Sequence, residues 1–150
     1  MSLQTDIMTA LKTAMKEKDQ VALEALRAVK SAILLAKTAK GGGEEMSEAE
    51  ELKILQKLVK QRKDSAAIYL EQDRKDLAAP ELDQAEVISQ FLPEALSEEE
   101  IAAVVSATIA DVGAEGMKDM GKVMGIVNKK LAGQADGKTI STIVKAQLMS

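Results

Sequence analysis

The chain has 150 residues, no cysteine, no histidine and a formal net charge of −4 at pH 7. These counts exclude disulfides, thiolate and imidazole chemistry and the usual zinc sites, and the acidic balance argues against a general nucleic-acid binder. Aromatic residues are nearly absent, whereas the strong helix formers Ala, Leu, Lys, Glu, Gln and Met dominate. The composition therefore predicts an all-α protein.

Two helices are predicted in the first forty residues. Residues 3–17 repeat apolar side chains at helical spacing, and Asp19 is placed to cap a second helix over about 20–39. The predicted apolar face of the first helix comprises Leu3, Ile7, Met8, Leu11, Ala14 and Met15. That of the second comprises Leu26, Val29, Ile33 and Ala36, with Leu23 and Leu34 beside it. Three glycines at 41–43 interrupt the pattern, and we expect a mobile loop there. This loop lacks the GK[ST] ending of a phosphate-binding loop.

The third and fourth helices are bounded by clear signals. Ser47 with Glu50 predicts a capping box at the start of a helix over about 47–74. Pro80 is a natural first residue for a helix over about 80–92. The inner face of the third helix comprises Leu52, Leu55, Val59, Arg62, Ala66 and Tyr69. Arg62 interrupts this apolar row. We expect it to play a structural part, either with its head group snorkelling to solvent or through ion pairs with acids such as Glu24, Glu71 or Glu86.

A domain boundary is predicted near 93–97, where Pro93 ends one helix and Ser97 with Glu100 begins the next. That fifth helix runs to about Val112. A sixth is predicted over about 119–131, capped by Asp119 and closed by Gly133, and a last one begins at Asp136 or Thr139. The expected fold is an N-terminal four-helix domain, residues 1–93, followed by a small C-terminal three-helix bundle, residues 97–150.

The predicted sixth helix has two different sides. Its apolar stripe comprises Met120, Val123, Met124, Val127 and Leu131. Gly121, Lys122, Gly125 and Lys129 fall on the other side. Two glycines inside a helix cost about 1 kcal/mol each relative to alanine. Such a sequence indicates a close approach, either by another helix packed on Gly121 and Gly125 or by the backbone of a nucleic acid.

The charge distribution favours the last third of the chain as a polyanion-binding surface. Residues 117–150 contain six lysines and two aspartates, whereas residues 94–116 contain six acids and no Lys or Arg. The predicted nucleic-acid contacts are Gly121, Lys122, Gly125, Lys129, Lys130, Gly137 and Lys138. The few aromatic residues argue against base stacking, so we expect salt-dependent contacts to the backbone. Lys53, Lys57 and Lys60 form a second basic face, which is either merely solvated or a further phosphate-contacting row.

Signals for catalysis, cofactors and membranes are weak. The serines fall in caps, at exposed helix positions or at a terminus, and Glu98, Glu99 and Glu100 complement a helix dipole. No metal-binding spacing is recognisable, so we expect neither a metal nor a cofactor. Residues 1–11 lack the pattern of a signal peptide, and no apolar run approaches the ~18 residues of a membrane span. A cytoplasmic protein is expected.

Several segments together resemble a known family. They are Leu26–Ile33, Val59–Ser65, Phe91–Ile101, Met120–Gly125, Gly133, Asp136–Lys138 and Val144–Lys145. Taken in order, these segments resemble the YqeY-like family, whose C-terminal part is shared with the tail of the B subunit of the bacterial tRNA-dependent amidotransferase. The resemblance covers essentially the whole chain.

The resemblance implies an N-terminal helical domain and a three-helix tail, and in the amidotransferase this tail helps to hold the tRNA. The positions that match the tail are Gly121, Lys122, Gly125, Lys129, Gly133, Asp136, Gly137 and Lys138. The chain lacks the catalytic body of the amidotransferase. Three hypotheses follow: a non-catalytic module that binds tRNA or assists tRNA-linked amidation, an adaptor for a synthetase or amidotransferase, and a carbon–nitrogen ligase that uses glutamine as amido donor.

Overall fold

The computed structural model describes residues 2–41 and 45–150, which form seven α-helices and one 3₁₀ turn with no strand among them. The all-α prediction is confirmed. The helices are α1 (Leu3–Glu17), α2 (Gln20–Ala39), α3 (Glu48–Glu71), α4 (Lys75–Ser89), α5 (Glu98–Val112), α6 (Met120–Lys130) and α7 (Gly137–Met149). Of the predicted mobile glycine loop, Gly42 and Gly43 lie outside the described residues, whereas Gly41 has a left-handed φ of 95°.

Side-chain caps fix the starts of four helices. The hydroxyl of Ser2 accepts a hydrogen bond from the Thr5 N–H, and the Asp19 carboxylate accepts one from the Ala22 N–H. Both halves of the Ser47–Glu50 capping box are formed at the start of α3. These bonds satisfy amide groups that a helix leaves unpaired in its first turn. The predicted starts of α1, α2 and α3 are therefore confirmed.

Ser97 caps α5 as predicted, since its hydroxyl oxygen accepts a hydrogen bond from the Glu100 N–H at 3.2 Å. The Glu100 carboxylate accepts from that same hydroxyl. The helix ends at Gly113, which has a left-handed φ of 65°. This conformation suits glycine because it has no side chain to clash.

The start predicted for the fourth helix, about residue 80, is wrong. Helix α4 begins at Lys75, so Pro80 is its sixth residue and lies inside it. Proline lacks the N–H that would donate to the carbonyl of Asp76, an exposed residue near the helix start. We attribute the tolerance of Pro80 to tertiary packing, since Ala78 and Ala85 on either side of it are buried. Helix α3 accordingly ends at Glu71, earlier than the predicted 74.

The contacts between residues divide the chain into two compact units, Met1–Leu92 and Pro93–Ser150. The core of the first unit is aliphatic and comes from α1 to α4. Its buried members are Ile7, Ala14, Leu23, Ala25, Leu26, Val29, Ile33, Leu55, Val59, Ala85 and Ile88. Each large aliphatic side chain so buried stabilises the fold by about 1.5–3 kcal/mol. Met8 and Met15, predicted on the apolar face of α1, and Leu34, predicted beside that of α2, are instead exposed.

The second unit packs α5, α6 and α7 around its own aliphatic core. That core comprises Ile101, Val105, Val123, Val127, Leu131, Ile140, Val144 and Leu148. The N–H of Leu96 donates to the Gln134 carbonyl at 2.9 Å, which ties the segment before α5 to the turn after α6. Within residues 2–41 and 45–150, no helix is both long enough and apolar enough to cross a membrane.

The start of α6 differs from the prediction. A 3₁₀ turn, Met117–Asp119, precedes the helix, and Asp119 makes no side-chain cap. Its carboxylate accepts a hydrogen bond from the Glu115 N–H at 2.9 Å, which stabilises the turn before the helix instead. Helix α7 begins at Gly137 after Asp136, which also gives no side-chain cap.

Candidate nucleic-acid interface

Helix α6 separates its apolar side from its glycine and lysine side as the spacing predicted. Val123 and Val127 are completely buried, and Leu131 is almost so. Gly121, Lys122, Gly125 and Lys129 are all exposed. We call these four residues the α6 surface. The structure therefore brings together four of the seven predicted contact positions on one side of one helix.

In residues 2–41 and 45–150, no neighbouring group occupies the space beside the two glycines of the α6 surface. Within these residues, a methyl group built on Gly121 or on Gly125 would meet no atom within 4 Å outside its own helix backbone and chain neighbours. The explanation that these glycines allow close helix–helix packing is therefore wrong within the described part of the chain. What the glycines provide is bare helix backbone that faces outward.

The lysines of the α6 surface keep their charge available. Among the described residues, Lys122 and Lys129 form no ion pair. Lys118, which sequence reasoning counted only in the charge excess, lies in the 3₁₀ turn before α6. It pairs with Glu115 at 3.8 Å, and both side chains are largely exposed, so the pair is weak. Lys118 lies four residues before Lys122, about one helical turn, and this spacing could have identified it as a further candidate contact.

The other predicted contacts lie apart from the α6 surface. The Lys130 ammonium reaches back to the buried Thr108 hydroxyl of α5 at 3.5 Å, a long contact at the limit of hydrogen bonding. Gly137 and Lys138 are exposed in the first turn of α7. The amide groups of that turn receive no side-chain cap, and a helix N-terminus carries partial positive charge. The turn 131–136 joins this helix start to the end of α6.

The second basic face, on α3, is partly neutralised. Lys53 and Lys57 are exposed, whereas Lys60 pairs with Asp64 at 2.9 Å in a solvent-exposed i,i+4 ion pair. An exposed pair of this kind contributes less than about 1 kcal/mol. Of the three predicted residues, Lys53 and Lys57 thus have the more accessible charge.

Arg62 has the structural part that its position in α3 predicted, although its partner differs. Its Nε donates to the Gln84 side-chain oxygen at 3.1 Å, and its Nη1 donates to the Leu58 carbonyl at 3.2 Å. The Gln84 amide in turn donates to the Glu24 carboxylate at 3.0 Å. The guanidinium therefore reaches Glu24 through Gln84 rather than through a direct ion pair, and the network connects α2, α3 and α4.

Acidic side chains do not converge in the described chain. Glu98, Glu99 and Glu100 lie in the first turn of α5, exposed, where negative charge complements the helix dipole. In residues 2–41 and 45–150 no group of three or more Asp or Glu side chains is arranged to hold a metal ion.

The chain is similar in sequence to known proteins. A family model described as Yqey-like protein matches residues 4–148. The chain is also 37% identical over 79 residues to the E subunit of the glutamyl-tRNA(Gln) amidotransferase of Thermococcus gammatolerans. That match covers 49% of this chain and 13% of the relative, so about half of this chain corresponds to a small part of that much longer protein.

Proposed function

The chain belongs to the Yqey-like protein family, and we propose that it is a non-catalytic helical module that binds tRNA or assists tRNA-linked amidation. The similarity to a component of a glutamyl-tRNA(Gln) amidotransferase supports a partner in the translation or amidation machinery. The proposal includes a cytoplasmic location. It also includes an expected negative result: purified protein supplied with glutamine should release no ammonia.

The observation that carries the proposal is the outward-facing pair of glycines in α6. Each costs about 1 kcal/mol of helix stability, and no group of the described chain fills the space beside it. A ligand backbone that approaches the helix closely would use that space. The neighbouring Lys122 and Lys129 supply the positive charge that a phosphodiester backbone requires.

We propose contact with the sugar–phosphate backbone rather than with the bases. The C-terminal unit, residues 93–150, contains no Phe, Tyr or Trp, so it offers no aromatic ring on which a base could stack. Lysine contacts to phosphates release counterions, and each lowers the slope of log K against log salt by about 0.7–0.9. Two to four lysines therefore predict a slope of roughly −1.5 to −3.5.

The test is a charge reversal on the α6 surface. Lys122→Glu combined with Lys129→Glu should weaken the binding of total tRNA at low salt at least about tenfold and flatten the salt dependence. The variant Lys16→Glu with Lys63→Glu changes the net charge equally at exposed positions of the other unit. That control should bind like the wild type. Unchanged tRNA affinity of the α6 variant would refute the proposal.

We further propose that the two compact units are separate domains, residues 1–93 and 97–150, joined by a short linker. Each unit has its own aliphatic core. Limited proteolysis should then cut between residues 93 and 96 and leave two resistant fragments, which mass spectrometry identifies. Cleavage that spreads through α4 or α5 instead would contradict this division.

A further inference from the structure

A groove on the N-terminal unit has features that the proposed function does not use. It lies between α1 and α2, has a volume of about 180 Å³, and its floor is formed by Ile7 and Ile33. Met8 and Leu34 border it, and they remain 43% and 63% exposed. We call this feature the α1/α2 groove. Large apolar side chains left uncovered beside a concavity are typical of a protein-interaction site.

The apolar row continues along α1 beyond the groove. Met15 follows Met8 after seven residues, about two helical turns, and it is 61% exposed. Methionine side chains are flexible and polarisable, so they adapt to the shape of an apolar partner. The uncovered apolar side chains therefore form an elongated strip rather than a single spot.

The charged side chains that line the α1/α2 groove are both lysines. Lys30 and Lys37 both line it, seven residues apart on α2, and Arg27 is exposed one turn before Lys30. From residue 25 to residue 40 the chain contains no Asp or Glu. The ammonium of Lys37 donates to the Gln4 side-chain oxygen at 2.8 Å, which holds it against the end of the groove.

The carboxyl of Glu51 senses the charge of Lys37, and it is buried. Burial raises the pKa of the Glu51 carboxyl, and the positive charge of Lys37 opposes this rise with a smaller effect. Because Glu51 is only 8% exposed, it does not offer its charge to a ligand at the surface. Lys30 therefore has the less compensated charge of the two lysines that line the groove.

We propose that the α1/α2 groove docks an acidic amphipathic helix of a partner protein. A row of apolar side chains at three- and four-residue spacing would fill the groove against Met8 and Leu34, and acids on its flanks would face Lys30 and Lys37. The groove is concave with an apolar floor between its lysines, which suits an amphipathic helix better than a flat lipid surface or a phosphate backbone. This site is in the other unit from the α6 surface, so it goes beyond the proposed function.

The test uses the full chain and a synthetic fluorescent peptide of about 18 residues, long enough to form a helix. The peptide carries leucines on one side and glutamates on its flanks. It should bind at low salt, and Lys30→Glu with Lys37→Glu should weaken binding at least tenfold. Leu34→Glu, at an exposed position, should do the same without loss of helical circular dichroism. The charge-matched control Lys53→Glu with Lys57→Glu should bind like the wild type.

Two matched peptides complete the test: one with lysine for glutamate and one with serine for leucine, and neither should bind. In the wild-type protein, amide chemical-shift changes on titration should centre on residues 4–8 and 30–37. Equal binding of the lysine peptide, unchanged affinity of the Lys30/Lys37 variant, or shifts centred elsewhere would overturn the proposal. So would binding of phosphatidylglycerol vesicles or tRNA at this groove without binding of the acidic peptide.

Discussion

The α6 surface and the α1/α2 groove are both basic, yet they differ in what accompanies the lysines. On α6 the lysines flank bare glycine backbone, and the apolar side chains of the helix face its own core. At the groove the lysines flank exposed methionine and leucine side chains. Positive charge alone therefore does not identify a ligand. The neighbouring groups do, because glycine admits a polyanion backbone whereas exposed aliphatic side chains need an apolar partner.

The largest effect is expected from unfolding only the C-terminal unit, because this should abolish binding at the α6 surface and leave binding at the α1/α2 groove intact. Val127→Asp places a carboxylate at a completely buried position in the core of the C-terminal unit, which costs several kcal/mol. We expect tRNA binding to be lost while the acidic peptide still binds the groove. Circular dichroism and the two binding assays on the same preparation measure this. Loss of both activities would show that the surfaces are not independent.

Substitution of the two glycines of the α6 surface should have an effect of intermediate size on tRNA binding. Gly121→Ala and Gly125→Ala should each stabilise the helix by about 1 kcal/mol, because the added methyl group meets open space. The same changes should weaken tRNA binding severalfold, since the methyl group obstructs close approach of the ligand backbone. Denaturant unfolding and tRNA titration measure the two effects. Stabilisation without any loss of tRNA affinity would mean that no ligand contacts the glycines.

The buried carboxyl of Glu51, which senses the charge of Lys37, affects both the stability of the N-terminal unit and the charge at the α1/α2 groove. Burial raises the pKa of its carboxyl above the ordinary value of 4.5, and its Oε2 accepts no hydrogen bond from the described residues. The folded state therefore holds this proton more tightly than the unfolded state does. Stability should consequently fall as the pH rises from below 4.5 through the higher folded pKa, and the loss persists at neutral pH.

Glu51→Gln should remove that fall and stabilise the N-terminal unit by about 1 kcal/mol at pH 7, since an amide is less costly to bury than a charge. It should also leave the charge of Lys37 uncompensated and so strengthen binding of the acidic peptide about twofold. Thermal unfolding between pH 4 and pH 8 tests the first effect. A variant that retains the wild-type pH dependence would contradict the assignment to Glu51.

The smallest effect is expected on α3. Lys60→Ala removes the exposed ion pair with Asp64 and should change the free energy of unfolding by less than about 0.5 kcal/mol. If the second basic face contacts tRNA, the same substitution should still weaken tRNA binding. An unchanged tRNA affinity would confine the contact to the α6 surface.

Local chemistry accounts for what could be predicted from the sequence. The caps at Asp19, Ser47 and Ser97 each depend on bonds within four residues, so the helix starts there could be predicted. Pro80 led to a wrong start for α4, because burial of Ala78 and Ala85 against other helices decides that element. The separation of α6 into a buried apolar side and an exposed glycine and lysine side could be predicted from the spacing of its residues alone.

Exposure of particular side chains could not be predicted in the same way. Met8, Met15 and Leu34 continue apolar rows, but no helix of the described chain covers them. Periodicity tells which side of a helix is apolar, not how much of that side a neighbour covers. For the same reason the sequence left open whether Gly121 and Gly125 were packed or free, and only their three-dimensional surroundings decide it.

The hydrogen bond from Leu96 to Gln134 has a practical consequence for dissecting the molecule. This bond fastens the segment that enters the C-terminal unit to the turn between Lys129 and Lys138. An isolated fragment that begins at Ser97 lacks the bond and leaves the Gln134 carbonyl to water. A fragment that begins at Pro93 keeps this hydrogen bond, and with it a fastening point of the turn between Lys129 and Lys138.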